Sequence, residues 1–155
     1  MDIIQVENMA TEKSEKELTE KLSRSGIRLS PVRLLVLKLL MSSDKPMSSL
    51  DIETRLETVD RSSITRTLSV FTEAHIVHVI SDGSGSMKYE VCADTEAHSG
   101  QFHSDEHAHF HCRNCGETVC LPSAPMPEPD LPEGFLAENA TYVITGLCPA
   151  CNKEK

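Results

Sequence analysis

Two C-x-x-C turns, Cys112-Arg113-Asn114-Cys115 and Cys148-Pro149-Ala150-Cys151, hold the residues with the clearest chemistry. Such a turn presents two thiolates about as far apart as two corners of a small tetrahedron, and two turns complete the S₄ set that Zn²⁺ favours in closed structural sites. Histidine makes the second cluster. In His107-Ala108-His109-Phe110-His111 the imidazoles alternate, so on a strand they share one face, where two neighbours can chelate one ion. His78 and Cys92 fall near the open end of a hairpin read below, and a thiolate with imidazoles suits Zn²⁺ better than Mg²⁺ or Mn²⁺. These residues outline a second, exchangeable metal site. Taken singly, each has a plainer reading: His78 and Cys92 as half-buried strand residues, the other histidines as surface polar groups.

The elements that must position these groups follow from periodicity. From Ser14 the pattern predicts a charged helix with Leu18 and Leu22 inward, stopped by Gly26. Ser30-Pro31 supplies an N-cap and first-turn proline for a second helix, in which Val32, Leu35, Val36, Leu39 and Leu40 form the expected buried stripe. Ser48 to Asp51 reads as a capping box opening a short helix with Ile52 and Leu56 inward. Asp60 caps a helix that buries Ile64, Leu68 and Phe71, leaving Ser62, Thr65, Arg66 and Ser69 on the opposite face. Residues 76–80 and 87–91 flank a polar, glycine-bearing tip and predict a β-hairpin. Three helices followed by a hairpin make a winged helix-turn-helix. The hydroxyl-rich helix face with Arg66 then suits entry into the major groove of double-stranded DNA, where a solvated face is the plain alternative. Further on, Phe110 and residues 118–121 predict two short strands around the first C-x-x-C turn, and residues 141–145 a strand leading to the second. Five prolines within residues 122–134 point to an extended excursion.

The totals narrow the class. A chain of 155 residues with no Trp, two Tyr and four Phe cannot build a large aromatic core, so a metal staple is reasonable on stability grounds. The opening residues lack the basic and apolar regions of a signal peptide, and the most apolar stretch, 32–41, is interrupted by Arg33 and Lys38. A cytoplasmic address without membrane contact is therefore expected, which favours ligation over disulfides for the six cysteines. The net charge of −9 hides a division: residues 21–80 carry nine Lys/Arg against six Asp/Glu, whereas residues 81–155 carry four against twelve. Basic charge is thus confined to the helix-turn-helix segment. A zinc deaminase would need H-x-E ahead of P-C-x-x-C; no H-x-E occurs, Pro149 lies inside the second pair, and a closed S₄ site leaves no position for water. An enzyme is not expected. A zinc-buffering or protein-binding ribbon module, needing no DNA, is the rival from another class.

Gly26-Ile27-Arg28 with Arg33, then Ser63-Ile64-Thr65-Arg66-Thr67-Leu68, then Ala74-His75-Ile76-Val77, and above all His107-x-His109-x-x-Cys112-x-x-Cys115-Gly116 with the closing C-x-x-C, resemble the ferric uptake regulator family of bacterial repressors over about residues 22–152. The resemblance implies an α+β chain: a disordered stretch at 1–13, a winged-helix DNA-binding domain at 14–92, a hinge loop at 93–106 and a small α/β dimerisation domain at 107–155 with a Cys₄ structural zinc. It implies a homodimer on a palindromic operator, while the helix face read above offers Arg61, Ser62, Ser63, Thr65, Arg66 and Ser69 as candidate DNA contacts. It also implies a sensory site at the hinge. Pro46, Ala108 and Ala140 stand where the iron-sensing branch places ligands, whereas His78, Cys92, His107 and His109 match the zinc uptake regulator branch. Zinc sensing in control of metal-uptake genes is the expectation, with Fe²⁺ or peroxide as the alternative signal and Glu90, His98, His103 and His111 as substitute ligands. Thr65 replaces a usual aromatic residue of the recognition helix, and the proline-rich insert replaces a helix of the dimerisation domain. Cys120 receives no role.

Overall fold

The computed structural model describes residues 15–91, 103–104, 108–121, 124, 130–137 and 139–153. Helix α1 covers residues 15–24. It buries Leu18 and Leu22, four apart, and stops where Gly26 takes a left-handed φ of 69° and Ile27 N–H turns back to the Leu22 carbonyl. Helix α2, Pro31–Ser42, starts on the Ser30 hydroxyl, which accepts from Arg33 N–H, with Pro31 in the first turn. Its buried residues are Val36, Leu37 and Leu40. Leu35, expected inside, is 43% exposed. In the run Leu34-Leu35-Val36-Leu37 nothing polar marks the outer face, so the packing against α4 and β3, not the periodicity, chose Leu37.

Strand β1, Met47–Ser48, runs into α3, Ser49–Arg55, through a reciprocal capping box: Asp51 N–H donates to Ser48 Oγ, and Ser48 N–H donates to the Asp51 carboxylate at 2.8 Å. Helix α4, Arg61–Glu73, starts on Asp60, whose carboxylate accepts from Ser63 N–H at 2.9 Å. It buries Ile64, Thr67, Leu68 and Phe71. Its end is closed by His75 in the left-handed region at φ 55°, a place glycine usually fills, with Ile76 N–H donating to the Phe71 carbonyl at 2.8 Å.

β2, Val77–Ser81, and β3, Met87–Val91, form the antiparallel hairpin, with His78 opposite Glu90 and Ile80 opposite Lys88. β1 adds to β3, giving the order β1-β3-β2. One face of this sheet sends Val77, Tyr89 and Val91 into the helical core. Alternation therefore points His78, Lys88 and Glu90 the other way.

What they meet is a second three-stranded sheet, ordered β6-β5-β8, of β5 (Ala108–Cys112), β6 (Thr118–Leu121) and β8 (Val143–Gly146). β5 pairs antiparallel with β6, setting His109 opposite Cys120 and His111 opposite Thr118, and parallel with β8. A parallel pair, β4 (His103–Ser104) with β7 (Asn139–Ala140), and a short helix α5, Pro149–Asn152, complete the described C-terminal part. A winged helix-turn-helix followed by a small mixed domain with a cysteine cluster is the architecture expected. Residues 130–137, with Pro132, turn at 133–134 and carry no helix or strand; most of the remaining insert, with the other four prolines, and the stretch 92–102 lie outside the described residues. No helix among the described residues is long and apolar enough to cross a membrane.

Candidate metal centres and nucleic-acid face

The sulfurs of Cys112, Cys115, Cys148 and Cys151 all lie within 4.8 Å of one another. Cys112 ends β5 and Cys148 caps α5, so the parallel β5–β8 pairing is what brings the two turns together. The first turn is closed by Gly116 N–H donating to the Cys112 carbonyl, with Gly116 at φ 75°. Cys115 and Cys148 sulfurs stand 3.9 Å apart, close to the roughly 3.8 Å edge of a tetrahedron with metal–sulfur bonds near 2.3 Å. Backbone N–H groups of Cys115 and Cys148 aimed at Cys112 bring its thiol down to about 6. For Cys151, a hydrogen bond from the Asn114 side chain favours the thiolate, but the Cys148 thiol, burial and the other two sulfurs push it up to about 12. Four thiolates cannot share this volume by themselves. A divalent cation resolves the conflict, and the donor set fits one soft or borderline ion.

The second cluster lies between the hairpin and the C-terminal sheet. His78 and Glu90 come from β2 and β3; His109 comes from β5 and is fully buried. The Nε2 atoms of His78 and His109 each sit 3.0 Å from Glu90 Oε2, and the two rings are 5.8 Å apart between centroids. Cys120 on β6 donates its thiol proton to the other oxygen, Glu90 Oε1. Burial pushes the Glu90 carboxyl up, but hydrogen bonds from His109, His78 and Cys120 outweigh it and hold the group well below the usual range. His78, Glu90 and His109 thus offer two imidazole nitrogens and a carboxylate within 4.8 Å, with a thiol attached to the same carboxylate. That nitrogen and oxygen set suits a divalent transition ion, with the Cys120 thiol held beside it on the same carboxylate.

Of the four residues expected to meet here, His78 and His109 do converge; Cys92 and His107 lie outside the described residues, as do the side chains of His98 and His103. Glu90, read as a substitute, sits at the centre. His111 shares the His109 face as alternation requires, but its ring meets Thr118 and Asp82 instead. Cys120 was missed. The signal for it is the period of two in Thr118-Val119-Cys120, which becomes useful only once register sets Cys120 opposite His109.

On α4, Arg61, Ser62, Thr65, Arg66 and Ser69 are exposed and Ser63 is half-buried. Asp60 orders the first turn, accepting from Ser62 Oγ at 2.6 Å and from Ser63 N–H; these bonds, ahead of Arg66, keep its carboxyl ionised well below the usual range. Arg66 donates to Ser63 Oγ at 3.2 Å, and Arg61 lies 3.8 Å from Glu53. The face is a row of short hydroxyls with two long cations, Arg61 and Arg66.

A model of the ferric uptake regulator family matches residues 24–127. The peroxide operon regulator of Bacillus subtilis (strain 168) is 26% identical over 148 residues, covering 90% of this chain and 94% of its own. The ferric uptake regulation protein of Campylobacter jejuni is 25% identical over 163 aligned positions, covering 97% and 96%. Among solved structures, a zinc uptake regulator complexed with zinc and DNA superposes with a TM-score of 0.60 at 20% identity, covering 93% of this chain and 96% of that one. With the family model spanning most of the winged helix and the first C-x-x-C turn, the chain belongs to the ferric uptake regulator family of metal-responsive regulators.

Proposed function

We propose that this protein is a zinc-sensing, DNA-binding repressor that acts as a homodimer on a palindromic operator and controls metal-uptake genes. The observation that carries the reading is the convergence, between the hairpin and the C-terminal sheet, of His78 and Glu90 from one side with His109 and Cys120 from the other. Cys112, Cys115, Cys148 and Cys151 would hold a structural zinc, and His78, Glu90 and His109, with Cys120 beside them, the exchangeable one; Cys92 and His107, which lie outside the described residues, are proposed as further donors. When bound, the ion supplies a bridge between donors of the two halves.

The chain's own residues do the rest. Glu90 gathers both imidazoles and the thiol onto one carboxylate, so that the donors are assembled beforehand. Fixing the hairpin against the sheet fixes α4, which packs on β2, and with it the spacing between the two recognition helices of a dimer. Arg61, Ser62, Ser63, Thr65, Arg66 and Ser69 would then meet phosphates and base edges. Without the bridge the halves sample more arrangements, and ordering them is charged against affinity. Support for zinc over iron comes from the Cys120 thiol held against the Glu90 carboxylate, beside the donors, and from likeness to a regulator solved with zinc and DNA.

The test is operator affinity across a free-zinc series, with the Cys₄ site kept loaded. Tightening that follows occupancy of the exchangeable site supports the reading; unchanged affinity on stripping that site alone overturns it. Iron or peroxide response is a second reading, favoured by the Glu90 oxygen and by likeness to the peroxide operon regulator. The same titration with Fe²⁺ separates the two.

A further inference from the structure

β3 sends two side chains towards the C-terminal sheet, and only Glu90 reaches the metal centre. Lys88, two residues earlier on the same face, ends in a polar cluster of its own. Its ammonium lies 2.7 Å from Asp82 Oδ2 and donates to Thr118 Oγ1 at 2.7 Å and to the Gly116 carbonyl at 3.2 Å. The Thr118 hydroxyl donates to Asp82 Oδ2 at 2.5 Å. His111 Nδ1 lies 3.1 Å from Thr118 Oγ1 and 3.4 Å from Asp82 Oδ2. Asp82, Lys88, His111 and Thr118 are all 9% exposed or less. A buried ion pair with all three ammonium protons directed at acceptors is costly to half-break, because removing one partner strands a charge away from water. By contrast, Lys45 with Glu117, the exposed ion pair at the same margin, contributes little.

The cluster is built from both halves. Asp82 and Lys88 belong to the hairpin, while Gly116, Thr118 and His111 belong to the first knuckle and its sheet. Its geometry repeats that of the metal centre one pleat along. His78 opposite Glu90 faces His109 opposite Cys120, and Lys88 on β3 faces His111 opposite Thr118. The two levels are separated by two residues on each strand, about 7 Å. A slip that broke one level would break the other.

We propose that Asp82, Lys88 and Thr118 are positioning residues for the exchangeable metal centre, a metal-free clasp that seats the hairpin on the C-terminal sheet in the register its ligands need. The inference rests on reading His78, Glu90, His109 and Cys120 as that centre. The clasp makes the metal-free protein partly docked before any ion arrives, so that metal sharpens an existing bias instead of creating the contact.

The experiment compares full-length wild type with Thr118→Val and Thr118→Ser. Zinc affinity of the exchangeable site is measured by competition with a chromophoric chelator. Docking is measured with that site emptied, from the distance between fluorophores attached through unnatural amino acids at Ser84 and Lys153. Thr118→Val is expected to broaden the distance distribution and weaken zinc binding by about tenfold, with Thr118→Ser restoring both. Unchanged docking and affinity in Thr118→Val overturn the clasp. Should Thr118→Val lose its fold, Asp82→Asn combined with Lys88→Met, neutral on both sides, serves the same comparison. A His78→Ala control separates the two ideas: if it leaves zinc affinity unchanged, the metal reading fails, and the distance measurement alone decides the clasp.

Discussion

Cysteine does two different jobs here, and the difference lies in what each sulfur touches. The sulfurs of Cys112, Cys115, Cys148 and Cys151 crowd together, a conflict that a cation would relieve, so a metal lost from them would be a fold lost. Cys120 touches a carboxylate that is already gathered with two imidazoles. Cys112→Ser is therefore expected to release one equivalent of tightly held zinc and melt the β5–β8 part, read by metal analysis and circular dichroism. Cys120→Ala should keep that zinc and the fold while weakening the exchangeable site at least about tenfold, read by chelator competition. Equal consequences for the two variants would contradict the assignment.

At the scale of elements, the helices start where their caps place them. Ser48 and Asp51 satisfy each other's backbone ends of α3, and Asp60 does the same for the start of α4. Ser48→Ala removes one half of the box, and thermal or denaturant unfolding should show a loss of about 1 kcal/mol. An unchanged midpoint would mean that α3 is held by Ile52 burial alone. Buried stripes are less certain to read than caps. On α4, polar residues bracket Ile64, Leu68 and Phe71, so one face is forced inward; on α2 the unbroken leucines allow two faces, and neighbours select Val36, Leu37 and Leu40.

The whole molecule adds the contact between halves, and with it a dependence on pH. Burial pushes the Asp82 carboxyl up, but hydrogen bonds from Lys88, Ser84 and Thr118 outweigh it and hold the group well below its usual 3.8. A carboxyl depressed in the folded state stabilises that state fully above its unfolded pKa, and the contribution is lost as pH falls below it. Stability of the zinc-free protein should thus drop between about pH 5 and pH 2. In Asp82→Asn the slope over that range should be shallower, measured by urea unfolding at successive pH values. Identical slopes would mean that Asp82 does not couple the halves.

By itself the sequence determined the caps, the hairpin, the alternation of His109 and His111 and the pairing of the two C-x-x-C turns, because each depends on neighbours a few residues away or on metal-ligand spacing. It could not determine which wing residues would meet which sheet residues. That depends first on register within each hairpin, where β5 against β6 sets Cys120 beside His109 and β2 against β3 sets Glu90 beside His78, and then on the meeting of two sheets remote from each other in sequence. Only when the two sheets dock does Glu90 become the centre of one cluster and Lys88 of the other, and His111 meet Thr118 instead of Glu90. Local spacing carries chemistry within an element; chemistry between elements exists only once the chain has closed on itself.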